Sequence, residues 1–213
     1  MKITFLGAAK TVTGSKYLIE YGDKKILIDC GLFQGWKELR SLNWKPLAID
    51  PTNIDFVILT HAHIDHSGYI PLLVENGFRG KIYCSEATFD LCKILLPDSG
   101  FLHEEDANRA NRYNYRKHIP VLPLYTEKMA EESLKYFYPI DFDKLLNLDQ
   151  DINFKLIYSG HIIGSSFIKL TINNKIITFS GDLGRVNGTI MRPPEIIENT
   201  DYLLIESTYK TFA

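Results

Sequence analysis

The apolar residues in the first part of the chain fall into short runs separated by turn residues, a pattern typical of β-strands. These runs predict strands at residues 3–6, 16–21, 25–29 and 56–60. The last run, FVILT, is apolar almost throughout, which indicates a sheet covered on both faces. After this strand, the spacing of apolar residues and the positions of Gly77 and Pro97 predict a helix at 68–76, a strand at 81–84 and a helix at 86–96 that stops at Pro97.

A helical stretch separates this region from a second group of strands. The sequence predicts helices at 102–117 and 127–137, which together mark a helical insertion at about 97–148. Further strands are predicted at 154–158, 166–172, 175–180 and 202–205, with a hairpin turn at Asn173-Asn174. Because no linker rich in Gly, Ser or Pro divides the chain, we expect one domain over residues 1–213.

Composition excludes several classes of protein. The 213 residues are 45% hydrophobic and 23% charged, which excludes collagen, low-complexity disorder and a disulfide scaffold. The net charge is −2, so any site for a polyanion must be local. No apolar stretch reaches the roughly 18 residues of a membrane span, and we expect a cytoplasmic protein with no membrane partner. The widely spaced Cys30, Cys84 and Cys92 are expected to be reduced core thiols.

Three of the 6 histidines lie within six residues, directly after the FVILT strand. Residues i and i+2 of an extended segment point the same way, so His61 and His63 can bind one Zn²⁺ ion. Asp65 and His66 lie at the turn into the next helix and face elsewhere, which suits a second ion beside the first. The alternative is a solvated polar loop in which the histidines have no chemical role.

Four ligands cannot complete two tetrahedral sites, so this hypothesis needs ligands from other strand ends. His161, in SGHIIGS, and Asp182, in SGDLGR, both follow predicted strands and stand beside glycines that allow close backbone approach. Either residue alone would be typical of a structural turn. Together with the first cluster, they predict a metal site.

The motifs HAHIDHSG, SGHIIGS and SGDLGR resemble the metal-binding motifs of the metallo-β-lactamase superfamily. Other stretches resemble one branch of it, the β-CASP RNA-processing nucleases: TVTGSKYLIE, LIDCGLFQG, LPDSGFLHEEDANRANR, LPLYTEK and IESTY. The resemblance covers essentially the whole chain. It implies an α/β fold, a four-layer αββα sandwich of two mixed sheets flanked by helices, with the metals at one edge.

The resemblance also implies roles for individual residues. It implies that one zinc ion is bound by His61, His63 and His161 and the other by Asp65 and His66. Asp182 would bridge the two ions. Besides Asp65, catalytic roles fall to Asp29, which would orient a ligand histidine, and to Glu206, which would assist the leaving group. The implied reaction is cleavage of RNA by a hydroxide shared between the metals. The alternative for Glu206 is an ordinary carboxylate at a strand end.

The resemblance stops at Tyr209, where KTFA replaces the family's usual continuation. Members of the family continue into a cap domain and then supply two more histidines. We therefore expect a truncated, split or frameshifted chain, whose second zinc site lacks its last histidine ligand and exchanges its ion easily. Without a cap a sheet edge would be exposed, and we expect a homodimer.

A basic and aromatic stretch in the helical insertion predicts contacts with RNA. It consists of Arg109, Arg112, Tyr113, Tyr115, Arg116, Lys117 and His118. Three acidic residues, Glu104 to Asp106, precede it, and Glu105 and Arg109 have i,i+4 spacing, so the alternative is a salt-bridged helix face in solvent.

Three functions stay open at this point. The first is a zinc-dependent ribonuclease of the β-CASP type, either an exonuclease or an endonuclease. The second is another hydrolase of the superfamily, which cuts a thioester, a lactone or a small phosphodiester. The third is an inactive module that binds RNA or a protein partner. The accessory stretches TVTGSKYLIE and IESTY favour the first, because the histidine motif alone is common to the whole superfamily.

Overall fold

The structure, a computed structural model, describes residues 1–113 and 120–207. Its first sheet has six strands whose spatial order is also their order in the chain. They are β1 (Lys2–Phe5), β2 (Tyr17–Tyr21), β3 (Lys24–Ile28), β4 (Phe56–Ile58), β5 (Lys81–Cys84) and β6 (Phe137–Pro139). The first three strands pair antiparallel, whereas β3 to β6 pair in parallel, so the sheet is mixed.

The second sheet has five strands and is also mixed. They are β7 (Leu146–Asp149), β8 (Ile152–Tyr158), β9 (Ser166–Ile172), β10 (Lys175–Phe179) and β11 (Tyr202–Leu204). Strands β7 to β10 form an antiparallel meander, and β11 joins β10 in parallel. The predicted hairpin turn is confirmed: Asn173 and Asn174 join β9 to β10 with φ of 47° and 61°, the left-handed values of a type I′ turn.

Among the described residues, five α-helices connect and cover these strands. They are α1 (Lys37–Arg40), α2 (Ile64–Ser67), α3 (Ile70–Glu75), α4 (Glu86–Tyr113) and α5 (Glu127–Ser133). Short 3₁₀ turns occupy Ser41–Trp44, Pro51–Asn53 and Leu134–Tyr136. Over the described ranges, none of the helices combines the length and apolar character needed to cross a membrane.

Alternation along the strands of the first sheet divides the apolar residues between two cores. Leu27, Val57 and Ile82 face the helices, whereas their neighbours Ile58 and Tyr83 face the second sheet. Side chains at i and i+2 share a face of a strand, so a continuous apolar run serves both cores. Each fully buried aliphatic side chain of this kind contributes about 1.5–3 kcal/mol to folding.

The predicted α/β fold, with two mixed sheets and flanking helices, is confirmed. In the described part of the chain, α3, α4 and α5 contribute buried apolar residues to the core on the first sheet, among them Leu73, Leu96 and Ala130. The outward-facing Lys169 and Thr178 of the second sheet are covered by an extended segment: Lys169 Nζ donates to Glu198 O at 2.7 Å and Thr178 Oγ1 to Thr200 Oγ1 at 2.9 Å. The outer face of the second sheet is therefore covered at these two positions by the segment that leads into β11.

Pro97 does not end a helix, contrary to the prediction. Helix α4 continues through it to Tyr113, because the residues that α4 buries follow each other at helical spacing on both sides of Pro97. Among them are Cys92, Leu96 and Gly100. An interior proline costs a helix about 3 kcal/mol, and the burial of this continuous stripe offsets the cost. Residues 114–117 of the predicted helix lie outside the described residues.

The predicted helical insertion is not wholly helical. The helix predicted at 127–137 ends at Ser133, and after a 3₁₀ turn the chain enters β6, which extends the first sheet beside β5. Strand β7 follows and begins the second sheet. Both strands were missed because they are only 3 and 4 residues long; β7 does alternate, as LNLD, but four residues are too few to identify a strand by period alone. The helix predicted at 68–76 is present as α3, which begins at Ile70 and ends at Glu75, whereas α2, directly before it, was not predicted.

A fully buried lysine lies beneath the loop after β3. The Lys16 side chain is 1% exposed, its ammonium group donates to the carbonyl oxygen of Gly31, and it lies 4.7 Å from the ring centre of Phe33 and 4.8 Å from that of Tyr69. Burial lowers the pKa of Lys16 from 10.5 to about 8, partly opposed by Cys30. The charged form is thus destabilised in the folded protein.

We expect Lys16→Met to raise the free energy of unfolding at pH 7, by at most about 3 kcal/mol. As the pH rises from about 8 towards 10.5, Lys16 of the folded parent loses its proton while the unfolded chain keeps it, so the parent becomes more stable. The advantage of the variant should therefore shrink over this range. Urea unfolding of the parent and the variant between pH 7 and 10 measures this difference in stability. The control variant is Lys128→Met, at an exposed lysine. An advantage that stays constant with pH would contradict the prediction.

Candidate metal centre

Five strands end at one edge of the two sheets. Strands β3 and β4 are parallel, β8 and β10 both run antiparallel to β9, and β11 is parallel to β10, so the carboxyl ends within each sheet lie together. The residues that follow these ends are Asp29, His61, His161, Asp182 and Glu206. The sheets meet at this edge, where Ser166 N donates to Thr60 O at 2.8 Å. Polar side chains from distant parts of the sequence are thereby brought together.

The first group of donor atoms comes from three histidines and one aspartate. His63 Nδ1 lies 3.1 Å from His61 Nε2 and 3.2 Å from His161 Nε2. Asp182 Oδ2 lies 3.7 Å from His61 Nε2 and 3.4 Å from His161 Nε2. All four ligand atoms lie within 4.8 Å of one another, so this group can hold a metal ion.

The second group lies on the other side of the Asp182 carboxylate. His66 Nε2 is 3.3 Å from Asp182 Oδ1 and 3.9 Å from Asp65 Oδ2. One oxygen of Asp182 therefore faces each group. The imidazole rings of His61 and His66 are 4.0 Å apart between centres, so the two groups are adjacent.

The side chain of Asp29 fixes the position of His66 in the second group. Its carboxylate is fully buried and accepts hydrogen bonds from Thr60 N at 2.8 Å and Ser15 Oγ at 3.1 Å, and it is paired with His66 Nδ1 at 2.7 Å. The contact to Nδ1 leaves His66 Nε2 directed at Asp182 and Asp65. Asp29 has a φ of 54°, a left-handed value that costs a non-glycine residue about 1–3 kcal/mol.

The turn that carries Asp65 and His66 is fastened to the backbone after β3. Cys30 N donates to His66 O at 2.7 Å, and Leu32 N donates to Ile64 O at 2.9 Å. Between these two bonds, a Cβ on Gly31 would overlap the carbonyl group of Asp65. Sequence reasoning did not give Gly31 a role, although it follows Asp29 and Cys30 in the LIDCG motif.

Thr60 was also missed. Its hydroxyl contacts both Asp29 oxygens at 3.0 Å and lies 3.0 Å from His61 Nδ1, so it links the buried carboxylate to the first group as well. Gly181 packs against it, and a Cβ there would lie 2.6 Å from Thr60 Cβ. The position of Thr60 directly before the first histidine was the available signal.

Burial and the nearby charges set the protonation of the two groups. Burial lowers the pKa of His61 well below its ordinary value, and the neighbouring imidazoles lower it further. Burial also lowers the pKa of His63. Burial acts against the charged form of His66 too, but the Asp29 and Asp182 carboxylates outweigh it and raise the pKa of His66 to about 10. His61 and His63 thus present free lone pairs, whereas His66 carries a proton that a cation would displace.

A cavity of about 270 Å³ opens beside the second group. His66, Asp182 and Glu206 line it, together with residues of the loop after β1. The carboxylate of Glu206 accepts a hydrogen bond from Leu183 N, and Glu206 N donates to Ser180 Oγ at 3.0 Å. The structure therefore places Glu206 next to the residue that both donor groups share.

The basic stretch of the helical insertion is described only in part. Arg109, Arg112 and Tyr113 lie on α4, with Arg112 5.6 Å from the Tyr113 ring centre. Within residues 1–113 and 120–207, neither arginine forms an ion pair within 4.0 Å, so the salt-bridged alternative gains no support. The remaining members, Tyr115, Arg116, Lys117 and His118, lie outside the described residues.

The family model described as "Metallo-beta-lactamase superfamily" matches residues 11–207. The chain belongs to this superfamily. A solved structure of a metallo-β-lactamase HARLDQ motif mutant from Cronobacter sakazakii has a TM-score of 0.54 at 16% identity, covering 88% of this chain and 62% of that one. A likeness at this identity concerns the fold alone.

The relatives narrow the assignment. The chain is 34% identical to Ribonuclease TTHA0252 of Thermus thermophilus over 98% of its own length and 44% of the relative. It is 29% identical to the transcription termination factor FttA of Methanocaldococcus jannaschii, over 100% of this chain and 32% of the relative. It is 26% identical to Integrator complex subunit 11 of Danio rerio, over 99% of this chain and 34% of the relative. These relatives confirm the predicted β-CASP branch. The chain spans less than half of the length of each of them.

We expect Gly31→Ala to weaken metal binding about tenfold or more and to lower the melting temperature, since the added methyl must displace the Asp65 carbonyl and overpacking costs about 1–3 kcal/mol. Calorimetric titration of the metal-free protein with Zn²⁺ and thermal unfolding measure the two effects. Gly188→Ala is the matched control, because a Cβ there lies no nearer than 3.3 Å to any atom. Zinc affinity equal to that of the parent would show that the turn does not depend on Gly31.

Proposed function

We propose that this chain forms the metal-binding part of a zinc-dependent phosphodiesterase that cleaves RNA. The observation that carries the proposal is the sharing of Asp182 between two adjacent donor groups, with one carboxylate oxygen facing each. Such an arrangement suits a pair of divalent ions acting on one phosphodiester. The 34% identity to a protein named as a ribonuclease supports RNA as the substrate class.

The donor atoms support zinc as the metal. At Zn–N distances of about 2.0–2.1 Å, the ligand atoms of a tetrahedral site lie about 3.3 Å apart. The separations of 3.1, 3.2, 3.4 and 3.7 Å in the first group are close to this value. Three imidazole nitrogens that converge cannot all be satisfied by one ring proton, and a cation between them resolves this. The first ion would be held by His61, His63, His161 and Asp182.

The second ion would be held by Asp65, His66 and Asp182. The described residues offer it three donor side chains, one fewer than the first group has, so we propose that it exchanges more readily. When bound, the zinc pair supplies a water of lowered pKa and neutralises charge on the phosphoryl oxygens.

The protein's own side chains position these ligands. Asp29 and Thr60 fix the ring orientations of His66 and His61 through their Nδ1 atoms, which leaves the Nε2 atoms directed into the site. We assign Glu206 the transfer of a proton to the leaving oxygen. Its place in the cavity beside Asp182 supports that role.

Compartment and assembly remain predictions. The three cysteines are free and buried, and burial raises the pKa of the Cys30 and Cys92 thiols to about 12. Unreactive reduced thiols support a cytoplasmic location. A homodimer is supported by β11, which is a sheet edge among the described strands and leaves Tyr202 and Leu203 each 52% exposed. Light scattering of the purified protein tests this assembly.

We expect His63→Ala to lose one tightly held zinc ion per chain and to cleave labelled single-stranded RNA about a thousandfold more slowly or worse, because several kcal/mol of metal-derived stabilisation is removed. Elemental analysis and a gel-based cleavage assay measure these effects. His103→Ala, in a histidine of α4 outside the site, is the control. Hydrolysis of a thioester but not of RNA by the zinc-loaded parent would contradict the proposed substrate class.

We expect Glu206→Gln to keep the zinc content of the parent and to lower the rate of RNA cleavage by about 10²–10⁴-fold, the usual effect of losing a general acid. Glutamine can still accept the hydrogen bond from Leu183 N, so the loop should keep its conformation. Single-turnover cleavage at saturating RNA measures the rate. An unchanged rate would show that Glu206 is a structural carboxylate at a strand end with no role in proton transfer.

A further inference from the structure

We propose that Trp36, with Lys37 and Arg40 of α1 beside it and Lys10 in the loop that lines the cavity, forms a platform on which a base of single-stranded RNA stacks. This Trp36 platform rests on the proposed function, for which it names a substrate-binding surface. Four features support it: exposure of the ring, rigidity of its backbone, its location and its charge.

The Trp36 side chain is 80% exposed, more than any other aromatic side chain among the described residues. Tryptophan has the largest apolar surface of any side chain and stacks well on planar groups. A single exposed apolar residue is ordinary by itself, so the argument depends on what surrounds it.

The backbone that leads to Trp36 is held by side chains. Asn43 accepts from Phe33 N and donates to Phe33 O, both at 2.8 Å. Thr13 Oγ1 accepts from Gln34 N at 2.9 Å and donates to Gln34 O at 3.3 Å. Helix α1 begins immediately after Trp36. An exposed ring on a fixed backbone is pre-organised for binding, since little further ordering is required.

The same hydrogen bonds join the segment before Trp36 to the loop that lines the cavity of the metal centre. Thr13 lies in the loop after β1, and its neighbours Thr11 and Val12 line the 270 Å³ cavity that also contains His66 and Asp182. Phe33 packs on this loop, because a Cβ on Gly14 would lie 2.5 Å from its ring. The loop that lines the cavity is therefore bonded to the segment that leads to Trp36.

The charge of the platform matches phosphate. Lys10, Lys37 and Arg40 are exposed, and within residues 1–113 and 120–207 none of them forms an ion pair within 4.0 Å. Residues 33–45 carry three basic side chains and one acidic side chain, although the whole chain has a net charge of −2. An exposed aromatic ring beside unpaired cations is a combination that binds single strands, by base stacking together with phosphate contacts.

The two tryptophans of the chain allow a direct test. Trp44→Phe leaves Trp36 as the only tryptophan, and Trp36→Phe leaves Trp44, which is 57% exposed and serves as the matched control. Each variant is freed of metal with a chelator and titrated with a short oligouridylate. We expect quenching of tryptophan fluorescence in Trp44→Phe and none in Trp36→Phe.

Binding and cleavage complete the test. Trp36→Ala should weaken oligouridylate binding about 5- to 100-fold, Trp36→Tyr should largely restore it, and Trp44→Ala should bind like the parent. Charge removal in Lys37→Ala and Arg40→Ala should each lower the salt dependence of binding. In the zinc-loaded protein, Trp36→Ala should raise the KM for RNA with little change in kcat.

The outcomes separate this inference from the proposed function. Quenching of Trp36 without any cleavage of RNA by the zinc-loaded parent would support the platform and reject the ribonuclease. Cleavage of RNA with an unchanged KM in Trp36→Ala would reject the platform alone. Equal quenching of both tryptophans, or loss of a dimer in Trp36→Ala without any change in RNA binding, would also reject it.

Discussion

The buried carboxylate of Asp29 is the contact on which the metal-binding edge depends. It accepts hydrogen bonds from the loop after β1 through Ser15 and from the end of β4 through Thr60, and it is paired with His66 in α2. A buried charge is stable only when it is fully paired, so these partners cannot separate without a large cost. The backbone of Asp29 is left-handed, and the strain is compensated by these bonds. One carboxylate thus fixes three segments and the orientation of a ligand imidazole.

The two halves of the site reach this edge by different routes. His61, His63, Asp65 and His66 follow one strand of the first sheet, whereas His161 and Asp182 follow two parallel strands of the second. Their meeting requires the sheets to pack face to face, through the apolar core that includes Ile58, Phe154 and Ile168. The geometry of the donor atoms is therefore a consequence of core packing, and the bond from Ser166 N to Thr60 O closes the edge locally.

Much of this arrangement could be predicted from the sequence. Strand periodicity and the position of His61, His161 and Asp182 directly after apolar runs indicated a shared edge, because functional groups at strand ends converge. What could not be predicted depends on tertiary contacts. Gly31 matters only because it touches Asp65, which is 34 residues away, and no local pattern reports that contact. Helix α4 passes through Pro97 because its buried stripe continues, so packing overrides a strong local signal.

The short strands β6 and β7 illustrate the same limit. Each pairs along only 3 positions with a neighbouring strand, and each sequence is too short for its period to distinguish a strand from a loop. They form because the edges of β5 and β8 offer unpaired backbone groups that need partners. The intrinsic β-propensity of these short segments contributes little, so their sequences alone predict helix or loop.

The donor residues are unevenly distributed along the chain, and this affects biosynthesis. The cluster from His61 to His66 is translated 100 residues before His161. At about 5–20 residues per second, roughly 5–20 s pass before the first partner from the second sheet is made. During that interval a ribosome-bound chain carries the His61–His66 cluster without the second sheet, which supplies His161 and Asp182. The donor atoms of the first group can therefore come together only after the second sheet has been synthesised.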